Sequence, residues 1–234
     1  MVEFLSSVGF DFNESSEEAF FDDFVKMLEH YEKNNSQKIT VNDKKYLVLN
    51  ADNLEMLFPL DEEDNANVDK MDLFYKTDKW QNVTDAYWCD DIKDYIAVAN
   101  AQYDLLSINM CVPNAYKIPL EEDKAYKMQT ACFGQECEIY TKEEFKNAKP
   151  RSNTESFFNV GSYSNNATCY FNGIIKEVHL CKNAYSQNEF YHLVVECLGL
   201  QIDVLLNQKN LPANVKVGQI ASVGGWLFGR FQNL

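Results

Sequence analysis

Apolar side chains recur three or four residues apart at Phe20, Phe21, Phe24, Met27, Leu28 and Tyr31, with Asp22, Asp23 and Glu29 between them. That is the period of a helix with one buried face. Ser15 or Ser16 starts it, and Ser15 with Glu18 three positions on fits a capping box. The pattern predicts an amphipathic helix of about 16 residues lying on a sheet, its stripe read as core rather than as a partner groove. Two runs in "QKITVNDKKYLVL", on either side of Asn42-Asp43, predict a β-hairpin, and "NLEMLFPL" predicts a third strand ended by Pro59. Short apolar runs between Met71 and Tyr116 predict further strands with irregular joins, and Thr141 with Glu144 marks a second, short helix.

Past residue 150 the pattern sharpens. Tyr191, Leu193, Val195 and Cys197 alternate with His192, Val194 and Glu196; beyond Gly199, Leu200, Ile202, Val204 and Leu206 alternate with Gln201, Asp203 and Leu205. With Leu198-Gly199 as a two-residue turn, Cys197 pairs with Leu200, Val195 with Ile202, Leu193 with Val204 and Tyr191 with Leu206. Both apolar sets then share one face, and a slip of one residue would separate them. A tight primed turn drives Leu198 toward positive φ. Strands from Gly173 to Cys181 and from Val217 to Phe231 flank this hairpin. Four or five short antiparallel strands in so short a segment predict a small OB-like or Greek-key β-barrel. In its closing strand, Gly224 and Gly225 are expected to permit a bend and to clear space for Trp226, the rival being a ligand that approaches the bare backbone. The fold class expected is therefore α+β: an N-terminal helix packed on an antiparallel sheet, followed by the small barrel.

Charge divides the chain in the same place. Residues 1–150 hold 15 basic and 31 acidic side chains, a balance of −16, whereas 151–234 hold 6 and 5, a balance of +1. The break falls at "KPRSN", Lys149 to Asn153, and suggests an acidic α+β domain over 1–150 and a barrel-like domain over 151–234. A net charge of −15 on 234 residues argues against duplex nucleic acid or an anionic membrane as partner, because both require a positive field. The N-terminus has no basic n-region and no apolar run approaches the roughly 20 residues that span a bilayer. A cytoplasmic location is expected. Oligomeric state is left open. Seven cysteines, dispersed and never spaced Cys-x-x-Cys, suggest small buried residues rather than a disulfide framework or a zinc site.

At "FNGIIKEVHLCKN", "ECLGLQIDVLLN" and "VGQIASVGGWLFGR" the chain resembles the last third of a group of bacterial proteins with no assigned activity, whose C-termini read approximately Gly-x-x-x-x-Gly-x-x-Trp-Leu-x-Gly-Arg. "SVGFDFNESSEEAFFDDFV" and "LEMLF" are similar to the same group. The resemblance implies architecture and a bacterial origin, and no chemistry.

Candidate chemistry is sparse. Asp61 to Asp72 places oxygen-bearing side chains at EF-hand positions, but Ala66 stands where glycine is needed, Asp72 where a bidentate glutamate is needed, and Pro59 spoils an entering helix. It reads as a solvated acidic loop. His192, Glu196, Gln201 and Asp203 share the polar face of the hairpin, with His179 on a neighbouring strand. Two imidazoles and a carboxylate form a possible metal set, although a hydrated outer face is the plainer account. No P-loop, dinucleotide fingerprint, nucleophile elbow or His-Glu-x-x-His helix occurs, and no cofactor is expected.

Three functions compete. The first is a non-enzymatic binding protein, of inhibitor or immunity type, whose acidic part engages a basic protein. The second is a barrel that stacks single-stranded nucleic acid or oligosaccharide on Tyr163, Tyr170, Phe171 and Tyr191, with Trp226 beside them. The third is a metal-dependent hydrolase using His179, His192 and Asp203.

Overall fold

A computed structural model describes residues 2–12, 16–41, 44–67, 71–89, 94–100, 105–112, 120–121, 123–159, 167–212 and 214–233. Ser15, Asn42, Asp43, Val68 and Tyr163 lie outside them. The elements in chain order are α1 (Val2–Ser7), α2 (Glu17–Asn35), β1 (Ser36–Val41), β2 (Lys44–Ala51), β3 (Leu54–Pro59), β4 (Asp72–Tyr75), β5 (Gln81–Val83), β6 (Asp85–Cys89), β7 (Asp94–Asn100), β8 (Leu105–Met110), β9 (Tyr126–Tyr140), α3 (Lys142–Ala148), β10 (Ser156–Asn159), β11 (Thr168–Lys182), β12 (Glu189–Cys197), β13 (Leu200–Asn207) and β14 (Ile220–Asn233). The fold is α+β with sheets whose pairings are antiparallel except for β9 with β13.

Helix α2 begins at Ser16, whose hydroxyl accepts from the Ala19 N–H, the bond expected of an N-cap. It lies on β2 and β1. Phe24, Met27 and Tyr31 of its stripe are buried, Phe20 and Leu28 half-buried, and Phe21 exposed. Strands β1 to β4 form one antiparallel sheet in chain order, with β1 and β2 closing as a hairpin at Val41 and Lys44. The loop after β3 folds on itself: Asp61 Oδ1 accepts from the Glu63 and Asn65 N–H groups, and Asp64 pairs with Lys45. Helix α3 carries the full Thr141–Glu144 capping box.

The largest sheet holds β12 and β13 in the register expected from alternation, with Cys197 opposite Leu200, Val195 opposite Ile202, Leu193 opposite Val204 and Tyr191 opposite Leu206. Leu198 and Gly199 have φ of 52° and 87°, as a type I′ turn requires. Strand β11 pairs with β12 and also with β14, so the path β11–β12–β13–β9–β14 returns to its first strand. Strand β9 precedes residue 150 yet lies between β13 and β14, paired along its whole length with β14. The charge break at 150 is thus no break in the sheet. Lys149 itself is tied across it, bonding Glu138 at 2.8 Å and Ser222 at 2.9 Å.

Two cores follow from strand alternation. Cys132, Val204, Leu206, Leu193 and Leu227 point into the ring, where Ile108 and Met110 of the β6–β8 sheet join them. Their neighbours Ala131, Phe133, Leu205 and Phe228 point outward and pack against Phe4, Leu5, Phe24 and Phe58. Each large apolar side chain so removed from water contributes roughly 1.5–3 kcal/mol.

The glycines near Trp226 serve other neighbours. A Cβ on Gly224 would lie 2.6 Å from the Tyr170 ring, and one on Gly225 would lie 2.5 Å from the Phe133 carbonyl oxygen. The pairing does shift register between Gly224 and Gly225, but the extra residue, Gln135, is on β9, so the bulge belongs to β9 rather than to the glycine strand. The space cleared is for Tyr170 and β9, not for Trp226, which instead meets Phe4 edge-on at 5.1 Å.

Candidate functional site

Three adjacent strands each contribute one polar side chain to a diagonal line on the outer face of the ring: Cys181 from β11, His192 from β12 and Asp203 from β13. The register explains the line. His179 lies opposite His192 and Cys181 opposite Phe190, while His192 lies opposite Leu205, which sets Asp203 two residues away on the same face. His192 Nε2 is 2.7 Å from Asp203 Oδ1, and Asp203 Oδ2 accepts from Thr77 Oγ1 at 2.8 Å. Cys181, two residues from His179 on β11, falls on the same face as His192. The Tyr75 and His179 rings lie 5.3 Å and 5.4 Å from His192. His179 pairs with Glu177 at 3.0 Å, and Glu177 also accepts from Lys79.

The face is hydrated, as its polar pattern predicts, at His179 and Gln201, which are exposed, but not at Asp203. Asp203 is 2% exposed, because β4 and the chain after it fold over this end of the hairpin. Thr77 straps the two together, giving its hydroxyl to Asp203 and accepting the Gln129 amide at its carbonyl. Glu196 and Gln201 lie farther along: Glu196 pairs with Lys176 at 2.8 Å, and the Gln201 backbone exchanges bonds with the Gln81 side chain.

Burial and charge set the ionisation. Burial works against a charged His192, but the bonded Asp203 carboxylate, with a smaller share from the neighbouring Cys181 thiol, outweighs it and raises the imidazole to about 9. Burial pushes the Tyr75 hydroxyl up to about 12. Elsewhere, burial lifts the Cys137 and Cys197 thiols to about 12, and Cys132, beside the Cys169 thiol and wholly enclosed, is raised as well. Among the described residues no three His, Cys, Asp or Glu side chains are placed to share a metal ion.

Beside this line is a cavity of about 300 Å³. Cys181 and Tyr75 form one wall, Leu54 and Phe190 part of the apolar floor, and Asp52 and Lys182 are exposed at its edge. Cys181 was not a candidate from sequence. The relevant signal was that His179 and Cys181 are two apart on one strand, but only the β11–β12 register brings them to His192.

The aromatic candidates do not meet in one place. Phe171 is buried and stacked on Phe157 at 5.9 Å, and Tyr191 is buried inside the ring. Neither presents a ring to a ligand. Tyr170 is exposed, its hydroxyl donating to Glu136 at 2.7 Å, and its cross-strand neighbour Phe158 is exposed as well. Trp226 is half-buried against Phe4. No described helix is long and apolar enough to cross a membrane. No family model matches this chain, and no curated protein and no solved structure matches it.

Proposed function

We propose that the protein is a binding protein, of inhibitor or immunity type, that engages a basic protein through the outer face of α2. The observation that carries this reading is an exposed stripe. Phe21 and Val25 are 41% and 46% exposed one helical turn apart, and the exposed Glu18, Asp22, Glu29 and Glu32 fall on the same side of the helix. Apolar anchors ringed by carboxylates, in the segment of balance −16, suit a basic surface with an apolar pocket: the charges steer the encounter and the anchors hold it. The test is affinity capture from the native cell lysate at low and high salt, with wild-type protein and with a Phe21→Ser/Val25→Ser variant. A basic protein retained by wild type at low salt and lost by the variant supports the reading. Recovery of the same proteins by both, or of no basic protein, overturns it.

The five-strand ring is read here as an OB-like barrel in which β9, parallel to β13, takes the place of a strand that in an OB-fold follows the others. A second function rests on it. Phe158 and Tyr170 are exposed cross-strand neighbours on its outer face, a pair of rings suited to stacking a flat apolar surface. Glu136 beside Tyr170 disfavours a phosphate backbone, so a neutral oligosaccharide is the ligand preferred. Titration with neutral oligosaccharides, compared between wild type and Phe158→Ala, tests it; no binding by the wild type removes it.

A further inference from the structure

We propose that the outer face of the ring holds a β-1,4-linked glucan whose pyranose hydroxyls are all equatorial, with sugar faces on Phe158 and Tyr170 and hydroxyls on Glu136. This rests on the stacking reading of Phe158 and Tyr170 and extends it to the configuration of the sugar and the residues that select it.

The first support is a row across four strands. Phe158 on β10, Tyr170 on β11, Gly224 on β14 and Glu136 on β9 are successive Cα partners, so they stand side by side in steps of roughly 4.8 Å. Phe158 and Tyr170 are both exposed. The Tyr170 ring leans over Gly224, where a Cβ would lie 2.6 Å from its Cε1 and Cζ. Its outer end rests on bare backbone, and Glu136 Oε2 accepts its hydroxyl at 2.7 Å. A ring fixed at both ends yet open to solvent has little motion left to lose when a ligand settles on it.

The second support is the acceptor at the end of the row. Glu136 is exposed, and its Oε1 has no partner among the described residues. The polar row beside it is already closed on itself. Ser156, Asn172, Ser222 and Glu138 are again successive partners; Asn172 donates to Ser156 and accepts from Ser222, and Lys149 donates to Ser222 and Glu138. The acceptor left for a ligand is therefore Glu136.

Aromatic faces suit flat C–H surfaces, and a carboxylate oxygen suits hydroxyl donors. A pyranose with only equatorial hydroxyls offers both, with C–H bonds on each face and hydroxyls at the rim. An axial hydroxyl makes one of its faces polar. The β-1,4 linkage keeps successive sugars extended along a straight row, whereas an α-1,4 linkage curves the chain away from the second ring.

The test is calorimetric titration of the full-length protein with cellotetraose, with β-1,4-linked mannotetraose, whose 2-hydroxyls are axial, and with maltotetraose. Cellotetraose is expected to bind about fivefold or more tighter than the other two. Gly224→Ala, which turns the Tyr170 ring off its floor, should weaken cellotetraose about tenfold, the loss of one stacking contact. Glu136→Gln, an exposed change, should weaken it about fivefold, because a charged acceptor becomes a neutral one. Binding of none of the three sugars, nor of any other neutral oligosaccharide, by the wild type removes the stacking reading and this inference with it. Equal affinity for the three, or cellotetraose binding that Glu136→Gln leaves unchanged, keeps the stacking reading and overturns this inference alone.

Discussion

His192 and Asp203 stand on neighbouring strands with Nε2 and Oδ1 2.7 Å apart, and the second oxygen of the carboxylate is bonded to Thr77, a residue 126 positions earlier in the chain. The pair is both the chemical centre of the outer face and a fastening between the β4 segment and the ring.

The fastening is pH-sensitive. His192 is raised to about 9 in the folded protein, against an ordinary value of about 6.5 in the unfolded chain. Because the folded value is the higher, its stabilisation is complete below about pH 6.5 and is lost as pH rises through about 9, at most of order 3 kcal/mol. Urea denaturation at intervals across this window is expected to show wild type losing stability while His192→Asn stays flat by comparison. Parallel profiles would remove the assignment.

Removing the carboxylate should cost more than removing its charge. Asp203→Ala leaves a buried imidazolium and the Thr77 hydroxyl without their acceptor, and a loss of about 3 kcal/mol is expected. Asp203→Asn keeps an oxygen for Thr77 and should lose less. Midpoints of chemical denaturation for the two variants check the order.

The paired glycines of β14 are not equivalent. At Gly225 an added methyl meets the Phe133 carbonyl of a fully paired strand, whereas at Gly224 it meets the exposed ring of Tyr170, which can turn aside. Gly225→Ala is expected to destabilise by about 2 kcal/mol or more and Gly224→Ala by under about 1 kcal/mol. Thermal unfolding of the two side by side decides it.

Leu198 holds a left-handed backbone at φ 52°, which a branched apolar residue adopts at a cost of about 1 kcal/mol. Leu198→Asn keeps the turn and is expected to raise stability by about 0.5 kcal/mol. A fall in the denaturation midpoint would show that the partial packing of Leu198 on the core outweighs the strain.

What could be read before the structure was whatever alternation or a cap spells out locally. The β12–β13 register followed from apolar parity, and the capping box placed α3. The long strand β9 escaped because both of its faces are buried: Ala131 and Phe133 serve one core and Cys132 the other, so its sequence shows no alternation to detect. The same two-sidedness hid the site. Leu205 breaks the polar set of β13 because that face meets a second core, and once the face is known to be covered, a buried Asp203 needs a partner such as His192. Phe171 read as a stacking residue only while the direction of its strand face was open, and Tyr191 did so against its own place in the apolar set of β12.

Strand β14 is the last of the ring to appear as the chain is made, and it is the piece that lies against both β9 and β11. Until it arrives, two long edges made tens of residues earlier stand bare, offering their N–H and C=O groups to any passing strand, including that of another copy. A chain lacking β14 is therefore expected to be sticky where the closed ring is not, and prompt delivery of that strand guards the protein against self-association.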